Sequence, residues 1–387
     1  HEERSFMDFD LTHEQRILAD TIIRFGKQEL AGDVIARDEA GEFWREGWRR
    51  CAGIGIQGLP VPEVYGGAGA DPLTIVVGLE ALGYACRDNG LIFSLNAHMW
   101  ACEIPIVKFG TQEQKRRYLP GLCDGSLIGA HAMTEPGSGS DPFSLATTAE
   151  RKGALWLLNG QKTFVSNAPE ANVFVVFATT DRTLGFAGLC AFLVERDAPG
   201  LSVGRPLHKM GLRTSPMAEV FLEGCEVPEE NLLGKAGGGM AVFNSAMEQE
   251  RGFILACTVG TMRRQLERCI AHAQERKQFN QPIGKFQAVS HRIVDMKVRL
   301  ETARLALYHL GWMMSQGRQA RLETALTKLY LSECFVASSL DALQIHGGYG
   351  YMTEYELERD LRDAVGSRLY SGTSEMQRNI VAHQLRL

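Results

Sequence analysis

The chain has 387 residues, with 41 Lys and Arg against 46 Asp and Glu and a formal net charge of −5. That length allows two or three domains around a sizeable core, and a slightly acidic chain without a basic tract predicts no nucleic-acid partner. Nine cysteines stand singly, without a C-x-x-C pair or Cys/His ligand spacing; they predict reduced, buried thiols in a cytoplasmic protein with no metal site, and no apolar run stands out as a membrane span.

His1 to Phe6 reads as an added segment ahead of a start at Met7. Thr12-x-x-Gln15 and Thr111-x-x-Gln114 have the form of capping boxes, and helical periods predict an N-terminal helical domain over 7–127. A Gly/Pro-rich loop at 59–71 interrupts it. The period changes after Leu127. Asn159-Gly160 suits a type I′ turn and predicts a hairpin over 156–165. Runs at 173–180, 188–195 and 218–225 are rich in Val, Phe and Leu, as strands are, so 128–234 reads as a central β domain. Gly237-Gly238-Gly239 breaks the pattern. Helical periods then return at 240–275, 286–315, 322–345, 355–364 and 373–385, which makes 235–387 a helical bundle.

The first of those helices carries Glu248 and Glu250 in S-A-M-E-Q-E-R-G-F-I-L. Positions two apart point to different sides of a helix, so only one of the two can face an interior site. Five other stretches combine features that ligand sites use. T-E-P-G-S-G-S-D at 134–141 offers free backbone N–H groups, and also suits a tight connector. Q-K-T-F-V-S at 161–166 places an aromatic ring and a hydroxyl at a strand end. E-R-K-Q-F-N-Q-P-I-G at 275–284 places an Arg suited to a phosphate in what is otherwise an interhelical turn. Q-I-H-G-G-Y-G-Y at 344–351 ends a helix in glycines. Thr373 or Ser374 is placed to cap the last helix. No group of ligands suggests a metal.

In this order, the 134–141, 275–284 and 344–351 runs resemble the acyl-CoA dehydrogenase family over essentially the whole of residues 7–387. The resemblance implies an α+β, mainly α, fold: an N-terminal helical domain, a central β-barrel-like domain and a C-terminal four-helix bundle, assembled as a homotetramer or homodimer. It implies FAD as cofactor. By similarity Met133, Thr134 and Ser140 contact the flavin, and Phe164 and Ser166 flank its other side. Arg276 and Phe279 match residues that reach the FAD of a neighbouring subunit. Gln344, Gly347 and Gly348 match the pyrophosphate-binding stretch, and Thr373 and Glu375 match further FAD contacts. Ser140 and Arg251 lie next to the substrate in the family.

The family reaction removes the α-proton of an acyl thioester with a carboxylate and passes a hydride to the flavin. The family's usual catalytic Glu immediately precedes the Gly-Thr pair, and this chain has Ser371 there. A minority of members carry the base directly before an Arg on the helix opening the C-terminal domain, and Glu250-Arg251 matches that arrangement. The resemblance therefore makes Glu250 the base and leaves the Ser371 backbone N–H to support the thioester carbonyl.

Ser371-Gly-Thr-Ser374, Asn167-Ala-Pro169, Asn96-Ala-His98 and Gln287-Ala-Val-Ser-His291-Arg292 resemble the carrier-protein-linked branch, typified by L-prolyl-carrier-protein dehydrogenases that form pyrrole-2-carboxyl thioesters. An acyl or peptidyl carrier protein is the implied partner, with an electron-transfer flavoprotein or oxygen as electron acceptor. A short- or branched-chain acyl-CoA dehydrogenase is the alternative, because CoA presents the same phosphopantetheine arm. A flavin monooxygenase on the same scaffold, or a non-catalytic binding protein, are readings of a different class.

Overall fold

The computed structural model describes residues 10–387, so the expected start at Met7 lies outside the described residues. The helical first part comprises α1 (His13–Glu29), α2 (Val34–Ala40), α3 (Arg45–Gly53), α4 (Pro72–Ala85), α5 (Asn89–His98), α6 (Ile104–Phe109) and α7 (Gln112–Cys123). Both capping boxes form. Thr12 N donates to Gln15 Oε1 while Gln15 N donates to Thr12 Oγ1, and Thr111 and Gln114 repeat the exchange.

One expectation is corrected here. Helix α5, a π-helical turn at Met99–Glu103 and α6 form a continuous run, Asn89–Phe109, of 21 residues and mean hydropathy 1.2, long and apolar enough to cross a membrane. It is an interior helix instead: 83% of its apolar window is buried within the protein. Asn96, His98 and Glu103 along it are wholly buried and hydrogen-bonded.

The middle part is one sheet of eight strands, β1 (Gly129–Ala132), β2 (Thr148–Lys152), β3 (Leu155–Ser166), β4 (Val173–Thr179), β5 (Leu189–Glu195), β6 (Leu201–Val203), β7 (Met217–Pro228) and β8 (Leu232–Leu233). The order is β6-β7-β3-β2-β4-β5-β8, with β1 parallel to β4. Val173, Val175 and Phe177 of β4 enter one apolar cluster, and Phe174, Val176 and Ala178 enter another on the opposite face. Burial on both faces explains why the strand reads as an unbroken apolar run rather than an alternating one.

The predicted hairpin at Asn159-Gly160 does not form. Strand β3 runs straight through both residues, and the turn lies earlier, at Gly153-Ala154, where Lys152 pairs with Leu155. Asn159 and Gly160 instead occupy an irregularity in the β3–β7 register. Asn159 Oδ1 accepts from Gly224 N at 2.7 Å, and a Cβ at Gly160 would lie 2.4 Å from Thr147 Oγ1. The glycine is there for close approach, not for a turn.

The last part holds α8 (Gly239–Phe253), α9 (Ala256–Glu275), α10 (Gln287–Ser315), α11 (Arg321–His346), α12 (Leu357–Gly366) and α13 (Ser374–Gln384). A two-strand ribbon, β9 (Lys277–Gln278) with β10 (Gln281–Pro282), follows α9. The single helix expected over 240–275 is two, parted at Ile254-Leu255. Both of those residues are buried and neither is a breaker, so tertiary packing, not local propensity, ends α8.

The first and last parts share one core. Ile75, Leu79 and Leu82 of α4 belong to the same cluster as Val259, Met262 and Leu266 of α9 and Leu300 and Leu307 of α10. Helices α4 and α9 touch backbone to backbone. A Cβ at Gly83 would fall 1.8 Å from Cys257 O, and one at Gly260 would fall 2.0 Å from Glu80 O. Arg264 Nη1 donates to Gly83 O at 2.7 Å and to Cys86 O at 2.8 Å, which caps the end of α4.

Gly260→Val forces these helices apart and is expected to cost about 1–3 kcal/mol, the usual range for overpacking. Gly53→Ala, whose added Cβ meets nothing within 4 Å, is expected to leave the urea midpoint unchanged or slightly raised. Equal midpoints for the two variants would show that the close contact does not hold the halves together.

Candidate active site

Glu250 lies in the last turn of α8. Val242, Phe243, Ala246, Met247 and Glu250 recur at helical spacing and are all buried, so the carboxylate ends an otherwise apolar face. Ser371 Oγ donates to Glu250 Oε1. Ser371 and Gly372 form a bend between α12 and α13 with φ +56° and +86°. Side chains from three helices grip its carbonyls. Arg251 Nε donates to Ser371 O at 3.3 Å, Gln377 Nε2 to Gly372 O at 2.9 Å, and Lys328 Nζ to Gly372 O at 2.7 Å.

Burial pushes the Glu250 carboxyl above its ordinary range. The Ser371 hydroxyl, and then the charges of Arg251 and Lys328, pull against that rise without cancelling it. A carboxylate so placed is poorly solvated and basic, as a proton-abstracting group must be. Glu248, two residues earlier, faces elsewhere. It lines an open cleft of ≈ 370 Å³ with Asn244, Arg251, Arg321, Asn379 and His383.

The loop after β1 carries Met133, Thr134 and Ser140. Lys162 of β3 reaches under it, donating to Met133 O at 3.2 Å and to Glu135 Oε1 at 2.7 Å. Thr163 N donates to Thr134 O at 2.9 Å. Glu135 in turn accepts from Thr147 N at 3.0 Å, and a bridge to Ser138 closes the turn. Ser140 is exposed just beyond it. A register shift between Lys162 and Val165 turns Phe164 outward, 63% exposed at φ +54°. Ser166 follows, half-buried.

Phe279, 88% exposed at φ +49°, repeats this behaviour on the β9–β10 ribbon. Large aromatic side chains rarely adopt a left-handed backbone or stand in water. Two that do both suit a planar ring to stack on. A Cβ added at Gly137, Gly139, Gly347 or Gly348 meets nothing within 4 Å, which leaves backbone open to a ligand. These features fit a flavin dinucleotide.

The candidate residues fall into separate groups. Glu250, Arg251 and Ser371 are in contact, and Thr373 caps α13 close by, its Oγ1 accepting from Met376 N at 3.2 Å. Glu375 is exposed in the first turn of that helix. Arg276 lies beyond the far end of α9, a helix of 20 residues and so about 30 Å long. Its guanidinium stands 5.7 Å from the Tyr349 ring, next to exposed Gly347 and Gly348, with exposed Gln344 ending α11.

The sequence singles out neither Lys328 nor Gln377, and it places Glu135 and Lys162 inside candidate runs without giving either a role. Lys328 left a trace in the sequence: it occupies the buried position of the pattern Thr324, Ala325, Lys328, Leu331, Ser332, Phe335, where a cation is out of place. Gln377 left none, because a glutamine on a helix usually faces water.

Family models described as acyl-CoA dehydrogenase N-terminal, middle and C-terminal domains match residues 12–126, 130–225 and 237–386. An L-prolyl peptidyl-carrier-protein dehydrogenase of Pseudomonas fluorescens is 44% identical over 98% of this chain and 100% of its own length. The crystal structure of the prolyl acyl carrier protein oxidase AnaB superposes with a TM-score of 0.96 at 49% identity, over 98% of this chain and 100% of that one. The structure of PigA with FAD and proline does so at 0.96 and 40%, with the same coverage.

Lys162 and Glu135 are 0% and 3% exposed. Lys162→Met strands a buried carboxylate and is expected to cost about 3–5 kcal/mol at pH 7. Although burial works to raise the Glu135 pKa, Lys162 and the hydrogen bonds at Thr147 and Ala146 together hold it below the ordinary value of 4.5. The stabilisation is therefore complete above that value and lost as pH falls through the lower native one. Thermal melts should show a wide gap from wild type at pH 7 that narrows below about pH 4.5. A gap independent of pH would assign the loss to packing instead.

Proposed function

The chain belongs to the acyl-CoA dehydrogenase family, and from that premise we propose that it oxidises a prolyl group, held as a thioester on a peptidyl or acyl carrier protein, towards pyrrole-2-carboxyl. The carrying observation is the contact between Glu250 and Ser371. Where the family's usual carboxylate stands, this chain has a hydroxyl, and that hydroxyl donates to a carboxylate supplied by α8. The relatives named as prolyl carrier protein dehydrogenases or oxidases support the substrate class.

FAD, when bound, supplies the acceptor for the hydride. The residues that would hold its ring are Met133, Thr134, Ser140, Phe164 and Ser166, with Thr373 and Glu375 at the start of α13. With Ser371 Oγ occupying Glu250 Oε1, Oε2 is the atom that takes the α-proton. Its burial excludes water that would otherwise solvate and weaken the base. The Ser371 N–H polarises the thioester carbonyl, which makes that proton acidic enough to remove.

Arg276, Phe279, Gln344, Gly347 and Gly348 lie too far from Glu250 to serve the same flavin from within one chain. They take the adenosine diphosphate end of a neighbouring copy's cofactor, so the working unit is an oligomer, a homotetramer or homodimer. Val294, Val298 and Leu305 on α10, and Leu326, Tyr330 and Leu340 on α11, are exposed and provide apolar surface for that assembly. Nine buried thiols suit a reducing compartment such as the cytoplasm. Electrons leave to an electron-transfer flavoprotein or to oxygen.

The cleft beside Arg251 and Arg321 suits the phosphate-bearing arm of a carrier protein, and would equally suit that of CoA. An acyl-CoA substrate is therefore the second reading. Anaerobic bleaching of the flavin against prolyl, other aminoacyl and acyl carrier proteins and short acyl-CoAs separates the two. Fastest reduction by prolyl carrier protein is expected; equal or faster reduction by acyl-CoAs overturns the carrier assignment.

Glu250→Gln is expected to keep FAD and fold and to slow flavin reduction by about 10²–10⁴, a general base's usual contribution. Glu248→Gln should keep the rate of flavin reduction at saturating substrate within about twofold of wild type, any effect falling on substrate affinity through the cleft that Glu248 lines. Near-normal reduction by Glu250→Gln removes it as the base.

A further inference from the structure

One buried cation beside Glu250 has no part in the mechanism above. Lys328 lies in the second turn of α11 with no exposed surface. Its Nζ donates to Gly372 O and stands 6.0 Å from the Tyr370 ring. A buried ammonium is costly unless something compensates it, and here the bonded partner is a neutral carbonyl rather than a carboxylate. An aliphatic side chain would fill the same volume without that cost. Stability alone therefore does not account for a lysine in this place.

What the ammonium touches does account for it. Ser371 is not a glycine, yet its φ is +56°, a left-handed conformation that L-residues other than Asn and Asp seldom adopt. The bend persists because its carbonyls are gripped from α8, α11 and α13. Gln377 supplies a hold alone, whereas Arg251 and Lys328 each combine a hold on the bend with a charge acting on Glu250, Lys328 doing so from a different helix. The groups facing Glu250 are Arg251 on its own helix, Lys328 from α11, Ser371 and Tyr370 from the α12–α13 connection, and Cys102 from the π turn. The groups facing Lys328 are Arg251 and Glu250 from α8, Glu333 on its own helix and Glu375 from α13.

We propose that Lys328 is a positioning residue of the dehydrogenation: it holds the Ser371–Gly372 bend, so that Ser371 Oγ meets Glu250 and the Ser371 N–H meets the thioester carbonyl, and its charge favours ionised Glu250. The inference rests on the reading of Glu250 as base. Burial lowers the Lys328 pKa to about 8, with Arg251 acting in the same direction, so Lys328 carries its charge at neutral pH and gives it up above about pH 8.

The test is anaerobic single-turnover flavin reduction against pH, with FAD content read from the absorbance of each variant. Lys328→Met is expected to hold FAD, to reduce it at least about tenfold more slowly, and to move the acid limb up by about one pH unit. Lys328→Gln, which keeps a donor without the charge, should move the limb but lose less rate. A limb and rate constant unchanged in both overturn the proposal. If neither holds FAD, Lys328→Arg decides. It should keep the wild-type acid limb and abolish any wild-type fall in rate above pH 8; a displaced acid limb despite the retained charge overturns the proposal. Glu250→Gln is run alongside. If it reduces flavin normally, the assignment of the base has failed; if it is inactive while the Lys328 variants behave as wild type, only this inference has.

Discussion

A carboxylate removed from water takes up a proton unless neighbouring donors or charges replace the lost hydration. Glu250 is held between these outcomes. Burial raises its proton affinity, while Ser371 Oγ, Arg251 and Lys328 lower it. Much of the last third of the chain meets this requirement. Helix α8 stops at Phe253, which leaves Glu250 in its final turn. The bend at Ser371–Gly372 is left-handed, which brings a hydroxyl to the carboxylate. Helices α11 and α13 each send a buried polar side chain to that bend, where a bundle core would ordinarily have apolar ones.

The β domain meets a different requirement. A loop open to a planar ligand must hold its shape with few side-chain contacts of its own, and the 134–141 run, which we propose for that role, is mostly small residues. Lys162 and Glu135 supply the missing rigidity from below, with Lys162 also bonded to Met133 O. A single charged pair thus ties strand β3 to the loop at the point where Phe164 turns outward.

Much of this was legible in the sequence where a local rule sufficed. The two capping boxes, the Val-rich strands and the alternation of helical and β segments all follow from patterns over a few residues. The choice of Glu250 over Glu248 followed from helical spacing together with Ser371, two positions 121 residues apart that only a family pattern could connect. What escaped depends on tertiary contact. Asn159-Gly160 has the letters of a turn, yet Thr147 packs so closely that the strand continues. Ile254-Leu255 has the letters of a helix, yet the chain breaks there. The run over 89–109 is interrupted by Asn96, His98 and Glu103, and only the structure shows that each of these side chains finds a hydrogen-bond partner inside the protein. Gln377 and Lys328 acquire a role only when α11 and α13 are placed around one bend.

The glycine contact between α4 and α9 also bears on how the chain is made. Gly83 and Gly260 are separated by 177 positions in the sequence, and at translation rates of 5–20 residues per second the second emerges roughly 10–35 s after the first. For that interval α4, buried along nearly its whole length in the finished protein, has α1 to cover one side and nothing to cover the other. The β domain is synthesised during the wait and can close one apolar cluster by itself, while the other, shared with α6 and α7, is completed only when α8 follows. The first helices cannot. The nascent chain therefore carries an uncovered apolar helix through the synthesis of an entire sheet, and that is the stage at which chaperone binding or aggregation competes with folding.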